Sequence, residues 1–455
     1  MTIRNGPLAA RFSLLLAAAP LFGPAAEPAR AQQAPPDGSP AAARLSPSQR
    51  ASALGAIRQV LADEYVFPDM RAKLVERLSR AEKDGRYDVE QPHLFAERIT
   101  DDLREVARDG HLSLQHAPGQ YAAAMAPPAS DRGSEAFAAR RAVRAHHGLA
   151  ELRILPGNIR YLKLTAFDWV ADETGVAYDG AMRFLRQGDA VIIDLRGNGG
   201  GHPAAVQYLI SHFLPADTLL LTFHQGSDAP IQSRTLNHLP AGRLRGKPLY
   251  VLIDGGVASA AEELAYHVQQ FEPGELVGRR TAGGANNNRL VPVAPAFLLS
   301  VSVGRPVHAV SGTNWEGEGI APTVEAPSAR ALEVAESLAL ARLAEAHAGD
   351  PGLAAEYAWA RPAVEARLRP VTLSPERLRG LAGNYGEVRI ELRDGALWLV
   401  RPGREARRLM PMTADGLFAV EGLDDLRVRF RARALELLRM GAPEARKFPR
   451  SSRSG

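Results

Sequence analysis

The chain contains no cysteine among its 455 residues. It therefore has no disulfide bond, no thiolate nucleophile, no cysteine-ligated zinc site and no cysteine to carry an N-terminal lipid. None of its twelve histidines belongs to an HExxH pattern, so that zinc-peptidase arrangement is excluded as well. We predict that the protein uses no metal and no organic cofactor.

A nucleotide-binding loop is also missing. The run AVIIDLRGNGGG, residues 190–201, is a buried-looking strand followed by glycines. A GxGxxG pattern starting at Gly197 would need a glycine where His202 stands, and no Gly-Lys-Ser/Thr follows for a phosphate loop. Two interpretations remain open for the glycines: a tight turn without a ligand, or exposed amides that form an oxyanion hole.

The N-terminus lacks an apolar run long enough to cross a membrane. The stretch FSLLLAAAPLFGPAA is shorter than the roughly 20 residues that a spanning helix needs, and prolines interrupt it. Arginines precede it, and a small-x-small site ends at Ala31, which is the pattern of a cleavable signal peptide. We expect cleavage after Ala31, a periplasmic or secreted protein, and no stable membrane insertion afterwards.

The basic charge gives little reason to expect nucleic-acid binding. Residues 375–455 contain 17 Lys and Arg against 11 Asp and Glu. These basic residues alternate with apolar positions typical of strands and form no basic run or helix. A solvated face of a small domain explains them, and we expect no nucleic-acid partner.

The chain divides by composition into several segments. A leader rich in Pro, Ala and Ser follows the signal peptide, and then come a helical region, a polar connector, a segment of alternating strands and helices, a helical linker and a β-rich end. The predicted boundaries are 1–31 for the signal peptide, 32–48 for the leader, 49–116 for the helical region, 117–150 for the connector, 151–345 for the core, 346–374 for the linker and 375–455 for the small β domain.

Strands and helices alternate within the core. The segments NIRYLKL, AVIIDL, PLYVLI, ELVG and FLLSVSVG have the character of strands, and AAVQYLISHFL and SAAEELAYHVQQ have helical spacing. Such alternation predicts an α/β fold with parallel or mixed strand pairing. At the C-terminal end, VRIEL and ALWLV flank Asp394-Gly395 and predict a β-hairpin.

Ser259 stands where PLYVLI gives way to a helical pattern. Ser-x-x-Glu, from Ser259 to Glu262, is the spacing of a capping box, which satisfies the free amides at a helix start. The same turn could instead expose the hydroxyl as a nucleophile in a cleft. The local sequence leaves both interpretations open.

A nucleophilic serine needs a base and a group to orient that base. His267 is excluded because it lies eight residues along the same helix, about 12 Å from the first turn. His111, in DGHLSL, lies where the helical region passes into the core. Glu316, followed by Glu318, lies in a glycine-rich loop after a strand, and a carboxylate beside an imidazole fixes its tautomer and stabilises the imidazolium.

These segments together resemble peptidase family S41, which includes the C-terminal processing peptidases, tricorn and the interphotoreceptor retinoid-binding protein. The similarity covers roughly residues 50–345 and is greatest to bacterial proteins of the retinoid-binding branch. The resembling segments, in the family's order, are DGHLSL, NIRYLKLTAF, VIIDLRGNGGG, ASAAEELAY, LVGRRTAGGA and GTNWEGEGIAP.

The resemblance implies an α/β core related to the crotonase (ClpP/crotonase-like) fold, here with an N-terminal helical region and a small C-terminal β domain. It also implies Ser259 as nucleophile, His111 as general base and Glu316 as its support. The amides of Gly200 and Ala260 would bind the oxyanion.

The chain also departs from the family. The Ser-Lys branch has a lysine in the stretch that reads TAGGANNN here, so the base must be His111. Gly110 stands where tricorn-like sites have a serine, which leaves open how His111 is joined to Glu316. Thr323 replaces the usual aspartate after Pro322, and the connector is too short for a PDZ domain.

We therefore expect an exported serine-type peptidase that acts on peptide or protein substrates. The alternative from another class is a non-catalytic binder of an apolar ligand or peptide on the same fold. An esterase that uses the same serine is a third possibility. Substrate preference and oligomeric state are not predicted by the sequence.

Overall fold

The computed structural model describes residues 44–126, 132–226 and 229–451, without the side chains of residues 132–135. The predicted signal peptide and its cleavage site at Ala31 lie outside the described residues, as does the leader up to residue 43. Among the helices within the described ranges, none combines the length and the apolar composition that crossing a membrane requires.

Three helices form the N-terminal region, and each has proline in its first turn, where its fixed φ suits a helix. A complete capping box precedes the first of them: the Ser46 hydroxyl accepts from Gln49 N–H at 3.2 Å, and the Gln49 side chain accepts from Ser46 N–H at 2.8 Å. The helices bury Ile57, Leu74 and Phe95 in one apolar cluster. They are α1 (Pro47–Glu64), α2 (Pro68–Lys83) and α3 (Pro92–Ala107).

The polar connector is more regular than its composition predicts. Strand β1 (Ser113–His116) precedes it, and helices α4 (Pro118–Met125) and α5 (Arg132–Arg144) lie within it. Alanine has the highest helix propensity, so the alanine-rich stretch favours helix although it lacks a strong apolar periodicity. This part of the sequence prediction was incomplete.

The core alternates between strands and helices, as predicted. Its elements are β2 (Leu149–Leu155), β3 (Ile159–Leu164), α6 (Ala171–Arg186), β4 (Ala190–Asp194), α7 (Pro203–Ile210), β5 (Leu219–Gln225), β6 (Ile231–Arg234), β7 (Leu249–Ile253), α8 (Ala260–Phe271), β8 (Glu275–Gly278), β9 (Asn287–Val293), β10 (Phe297–His308) and β11 (Val324–Glu325). Two further helices, α9 (Ala331–Ala346) and α10 (Pro351–Leu368), follow.

The core strands form two sheets. One sheet has the order β11-β8-β7-β4-β3-β2 and is parallel except at β2. Every residue of β4 and β7 is buried because helices cover both faces, α6 to α8 on one side and α9 and α10 on the other. The other sheet is antiparallel, with the order β1-β10-β5-β6 and with β9 paired to β10. The α/β prediction is confirmed.

The C-terminal region is an antiparallel sheet that nearly closes on itself. Its strands pair in sequence order, and Tyr385 in the first strand forms a β-bridge with Arg450 just after the last. The predicted hairpin is present, with positive φ at Asp394 and Gly395. The elements are α11 (Pro375–Leu381), β12 (Gly383–Tyr385), β13 (Val388–Arg393), β14 (Ala396–Val400), β15 (Arg407–Pro411), β16 (Leu417–Val420), β17 (Leu423–Arg431), β18 (Ala434–Arg439) and β19 (Arg446–Pro449).

Apolar side chains fill the interior of this eight-stranded sheet, among them Ile390, Phe418 and Phe430. The interior is therefore a packed core, as expected for a closed sheet of this strand number. The outer wall lies against α10, where Trp359 donates to the Asp424 carbonyl at 2.7 Å and Arg427 stacks 4.1 Å above the Trp359 ring.

Candidate active site

Two loops at the C-terminal edge of the parallel sheet bring the glycine-rich run and Ser259 together. Strands β4 and β7 are neighbours and run in the same direction, so the loops that follow them leave the same edge. Clefts in α/β sheets form at this edge. The loops are joined directly, since Ala258 N–H donates to the Asn198 carbonyl at 3.1 Å.

Ser259 has a strained backbone at the turn between β7 and α8. Its φ is 53° and its ψ is −125°, a region that residues with a side chain rarely occupy and that costs about 1–3 kcal/mol. An ordinary helix cap is extended and carries no such strain. In the predicted capping box, Ser259 N–H donates to Glu262 Oε2 at 3.0 Å. Within the described residues, the reciprocal contact of the Ser259 hydroxyl with the Glu262 N–H lacks full hydrogen-bond geometry.

Gly200 lies against Ser259 and could not carry a side chain. Its φ is 106°, and a Cβ atom there would lie 2.8 Å from the Ser259 Cβ and 2.8 Å from the Ala258 carbonyl oxygen. The Gly200 amide already donates to Asn198 Oδ1 at 2.9 Å. Ala260 is the first residue of α8, a position whose N–H has no acceptor within its own helix. Of the two predicted oxyanion donors, Ala260 can therefore bind an oxyanion without giving up a helical hydrogen bond, whereas Gly200 would have to share or give up its bond to Asn198.

Glu262 is far more than a helix cap. Its buried carboxylate accepts four hydrogen bonds: Oε1 from the Thr281 hydroxyl and Gly283 N–H, both at 2.6 Å, and Oε2 from Gly284 N–H at 2.9 Å and Ser259 N–H at 3.0 Å. Burial raises the pKa of Glu262 although these donors favour its charged form. Glu262 therefore ties the loop after β8 to the turn that holds Ser259.

His111 reaches this region from the far side of the loop after β8. A Cβ atom on Gly284 would lie 3.3 Å from His111 Cε1, 3.4 Å from His111 Nε2 and 3.8 Å from Glu262 Oε2. Gly284 thus separates the imidazole from the carboxylate that binds the Ser259 amide. The Nε2 edge of His111 borders Gly284, and 148 residues of sequence separate His111 from Ser259.

Glu316 lies at the opposite edge of the imidazole. Its Oε2 is 3.3 Å from His111 Nδ1, a close contact that lacks the directionality of a full hydrogen bond. Backbone amides hold the carboxylate: Gly110 N–H donates to Oε1 at 3.2 Å, and Ala285 and Asn286 N–H both donate to Oε2 at 2.7 Å. The main chain of Gly110 thus connects the histidine segment to Glu316 without a serine side chain.

Two asparagines lock the Glu316 loop in place. Asn314 Oδ1 accepts from Glu316 N–H at 3.1 Å, and Asn314 Nδ2 donates to Asn286 Oδ1 at 3.2 Å. Because Asn286 N–H also binds the Glu316 carboxylate, the three residues form a closed ring of hydrogen bonds. Asn286 belongs to the TAGGANNN stretch, in which the Ser-Lys branch of the resembling family has its lysine.

The electrostatics of the site favour a charged imidazole beside an ionised Glu316. Burial by itself would lower the pKa of His111, but the carboxylates of Glu316, Asp109 and Glu262 outweigh it and raise the pKa. Burial opposes ionisation of Glu316, but His111 and the amides of Asn286 and Ala285 lower its pKa. A base with a raised proton affinity and an ionised partner can accept a proton from a hydroxyl.

Asp109 was not predicted from the sequence. It is buried two residues before His111, and its Oδ1 lies 3.8 Å from His111 Nδ1. The pattern DGH at the end of a helix was its only signal. Asp109, His111 and Glu316 offer oxygen and nitrogen atoms within 4.8 Å of one another, a donor set that could also hold a metal ion. A metal bound at Glu316 Oε2 would compete with the two amides that donate to that oxygen, which favours a proton-transfer role for the group.

Comparisons with known proteins agree with the resemblance inferred from the sequence. Residues 158–326 match the family model of peptidase family S41. The carboxy-terminal processing protease CtpB of Bacillus subtilis is 25% identical over 179 residues, which are 38% of this chain and 35% of that protein. The chloroplastic C-terminal processing peptidase of Tetradesmus obliquus is 29% identical over 167 residues, 36% of this chain and 34% of that protein.

Among solved structures, the photosystem II D1 C-terminal processing protease is similar over 65% of this chain and 98% of its own, with 16% identity and a TM-score of 0.42. The chain spans about a third of the length of the curated relatives that it matches. The matched segment includes Ser259 and Glu316 but begins after His111, which lies N-terminal to it. Residues 158–326 of the chain are thus similar to peptidase family S41.

Proposed function

We propose that the protein is a serine-type peptidase in which Ser259 is the nucleophile, His111 the general base and Glu316 the acid that supports the base. The observation that carries the proposal is the placement of the imidazole. One edge of it contacts Glu316 at 3.3 Å, and the other borders Gly284, next to the carboxylate that binds the Ser259 amide.

In the proposed reaction, the Ser259 hydroxyl attacks a peptide carbonyl while His111 Nε2 takes its proton. The imidazolium then gives that proton to the leaving amine, and water repeats the sequence to release the acyl group. Glu316 stabilises the imidazolium through Nδ1. The Ala260 amide binds the oxyanion, and the Gly200 amide can join it only if it shares or exchanges its bond to Asn198.

The proposed substrate is a peptide or a protein, and the proposed location is the periplasm or the exterior of the cell. The match of residues 158–326 to peptidase family S41 supports the substrate class. The N-terminal sequence pattern ending at Ala31 supports export. A mature protein recovered from the periplasm or medium should begin at Gln32, and an intact N-terminus in the cytosol would contradict the export proposal.

Labelling with a fluorophosphonate probe tests the nucleophile. Wild type should be labelled and Ser259→Ala should not, whereas Ser46→Ala, which removes a hydroxyl from a true helix cap, should be labelled like wild type. Equal labelling of Ser259→Ala would refute the proposal. A wild type that binds peptides but is neither labelled nor able to cleave them would support the non-catalytic binder, and cleavage of esters without peptides would support the esterase.

A further inference from the structure

Asp109 is a buried acid that the proposed reaction does not use. It follows α3, whose last turn ends at Arg108 in a left-handed conformation, and it precedes the Gly110-His111 pair. Only 2% of Asp109 is exposed. A buried carboxyl is unfavourable unless nearby groups satisfy it, so its contacts indicate what retains it.

The Asp109 side chain joins His111 to the end of α1. Asp109 Oδ1 accepts from the His111 main-chain N–H at 2.9 Å and lies 3.8 Å from His111 Nδ1. Asp109 Oδ2 accepts from the buried Tyr65 hydroxyl, at the end of α1, at 3.2 Å. The carboxylate thus holds the backbone of the histidine and faces its ring, while Tyr65 holds the carboxylate.

His111 Nδ1 therefore faces two carboxylates. Glu316 Oε2 lies at 3.3 Å and Asp109 Oδ1 at 3.8 Å. The ring N–H can form a good hydrogen bond to one of them at a time, but a positive charge on the ring is attracted to both. The second carboxylate consequently favours the imidazolium over the neutral ring.

We propose that Asp109 is a positioning residue of the base, which orients His111 through its main-chain N–H and adds a second negative charge that stabilises the imidazolium. The inference deepens the proposed peptidase function and rests on it for its catalytic meaning. Its effect on the imidazole is measurable whether or not the protein cleaves peptides.

The charged groups around His111 and Asp109 determine in which direction the loss of the Asp109 charge shifts the pKa of His111. His111 faces Glu316, Asp109 and, across Gly284, Glu262. Asp109 faces Tyr65 from α1, Ser302 from β10 and the charge of Glu316. Burial and the charge of Glu316 raise the pKa of Asp109, but a protonated His111 attracts the ionised Asp109 carboxylate. Removing the Asp109 charge must therefore lower the pKa of His111.

The test is Asp109→Asn, which is nearly isosteric and keeps an oxygen to accept the His111 N–H. The ring of His111 is titrated by NMR in the full chain, with its resonances assigned through a His111→Gln sample. The pKa of His111 should fall by about one pH unit relative to wild type. The turnover at high pH should fall about tenfold, because the imidazolium is less stable in the transition state.

Tyr65→Phe serves as the second variant, because it removes the hydroxyl that holds Asp109 and leaves the charge in place. It should shift the pKa of His111 in the same direction but less. An unchanged pKa in folded Asp109→Asn would overturn the proposal and make Asp109 merely structural, as would a larger shift in Tyr65→Phe than in Asp109→Asn. A shifted pKa in a protein whose Ser259 is never labelled would sustain the effect on the imidazole and refute the peptidase function separately.

Discussion

Two helices of this protein begin with the same four-residue spacing and use it differently. Ser46 and Gln49 precede α1 and exchange the two hydrogen bonds of a capping box at the surface. Ser259 and Glu262 precede α8, where the serine is strained and the glutamate is buried beneath three loop donors. Ser46 has an ordinary extended backbone, with φ −71° and ψ 159°.

The comparison shows what a short pattern can and cannot predict. Both sites begin a helix, because the acceptor spacing suits the free amides of any first turn. The surroundings decide the rest. Gly200 packs against Ser259 on one side, and Glu262 joins its turn to the loop beside His111 on the other, whereas the Ser46 site is exposed. Strain at Ser259 is kept because the neighbouring loops enforce it.

The largest expected difference between the two sites is in hydrolysis. Ser259→Ala should lower peptide cleavage by about 10⁴ to 10⁶, the scale seen when members of a catalytic triad are deleted. Ser46→Ala should cleave like wild type. The rates are measured on any peptide or unfolded protein that wild type cleaves, and equal rates for Ser259→Ala and wild type would remove the distinction between the two serines.

The glutamate should differ from its counterpart mainly in stability. Glu262→Ala leaves buried donors at Thr281, Gly283 and Gly284 without an acceptor, each costing about 1–3 kcal/mol. We expect the free energy of unfolding to fall by at least about 3 kcal/mol and hydrolysis to fall with it. This revises the sequence-based interpretation of Glu262 as a cap.

The matched control for Glu262→Ala is Gln49→Ala, which removes an exposed capping partner from α1. It should lower the free energy of unfolding by about 1 kcal/mol or less and leave hydrolysis intact. Urea unfolding measures both variants. Equal losses in the two would show that the burial of Glu262 adds nothing to its role.

Glu316→Gln should lower turnover about a hundredfold or more while the protein stays folded, because the imidazolium loses its charged partner and an amide can present the wrong group to Nδ1. Glu318→Gln, two residues further along the same loop and exposed, is the control and should behave as wild type. Steady-state kinetics with far-UV circular dichroism test both. Unchanged turnover in Glu316→Gln would mean that another group orients His111.

Activity should rise with pH because only a neutral His111 can take the proton of Ser259. The pKa of His111 is raised above its ordinary 6.5, so the half-maximal rate should lie above that pH. The pH dependence of kcat/KM from 5 to 9 measures it. In Glu316→Gln the midpoint should move to lower pH, since a negative charge beside the ring is lost. A rate that stays flat from pH 5 to 8 would argue against His111 as the base.

The smallest effect belongs to Ser46. Ser46→Ala should lower the free energy of unfolding by about 1 kcal/mol, the usual contribution of a capping serine. Thermal unfolding followed by circular dichroism would report it. A larger loss would show that this cap supports packing beyond α1.

Elements could be predicted wherever burial imposes a pattern along the chain. The strands AVIID and LYVLI are apolar throughout because helices cover both faces of the parallel sheet, and the turn at Asp394-Gly395 needs residues that tolerate positive φ. The helices α4 and α5 were missed because alanine supports a helix without marking a face. Asp109 was missed because its one signal, the DGH pattern at the end of a helix, does not reveal that the carboxylate is buried beside the His111 ring.

The sequence by itself determined the α/β alternation, the resemblance to peptidase family S41 and the small set of residues from which a site could be built. The tertiary structure decided which of them meet. It joined the His111 segment to Glu316 through the Gly110 main-chain amide, made Glu262 a buried junction between two loops and placed Asp109 beside His111. The reason is physical: propensity and periodicity act over a few residues, whereas strain, desolvation and proton affinity depend on atoms that the fold brings together from distant parts of the chain.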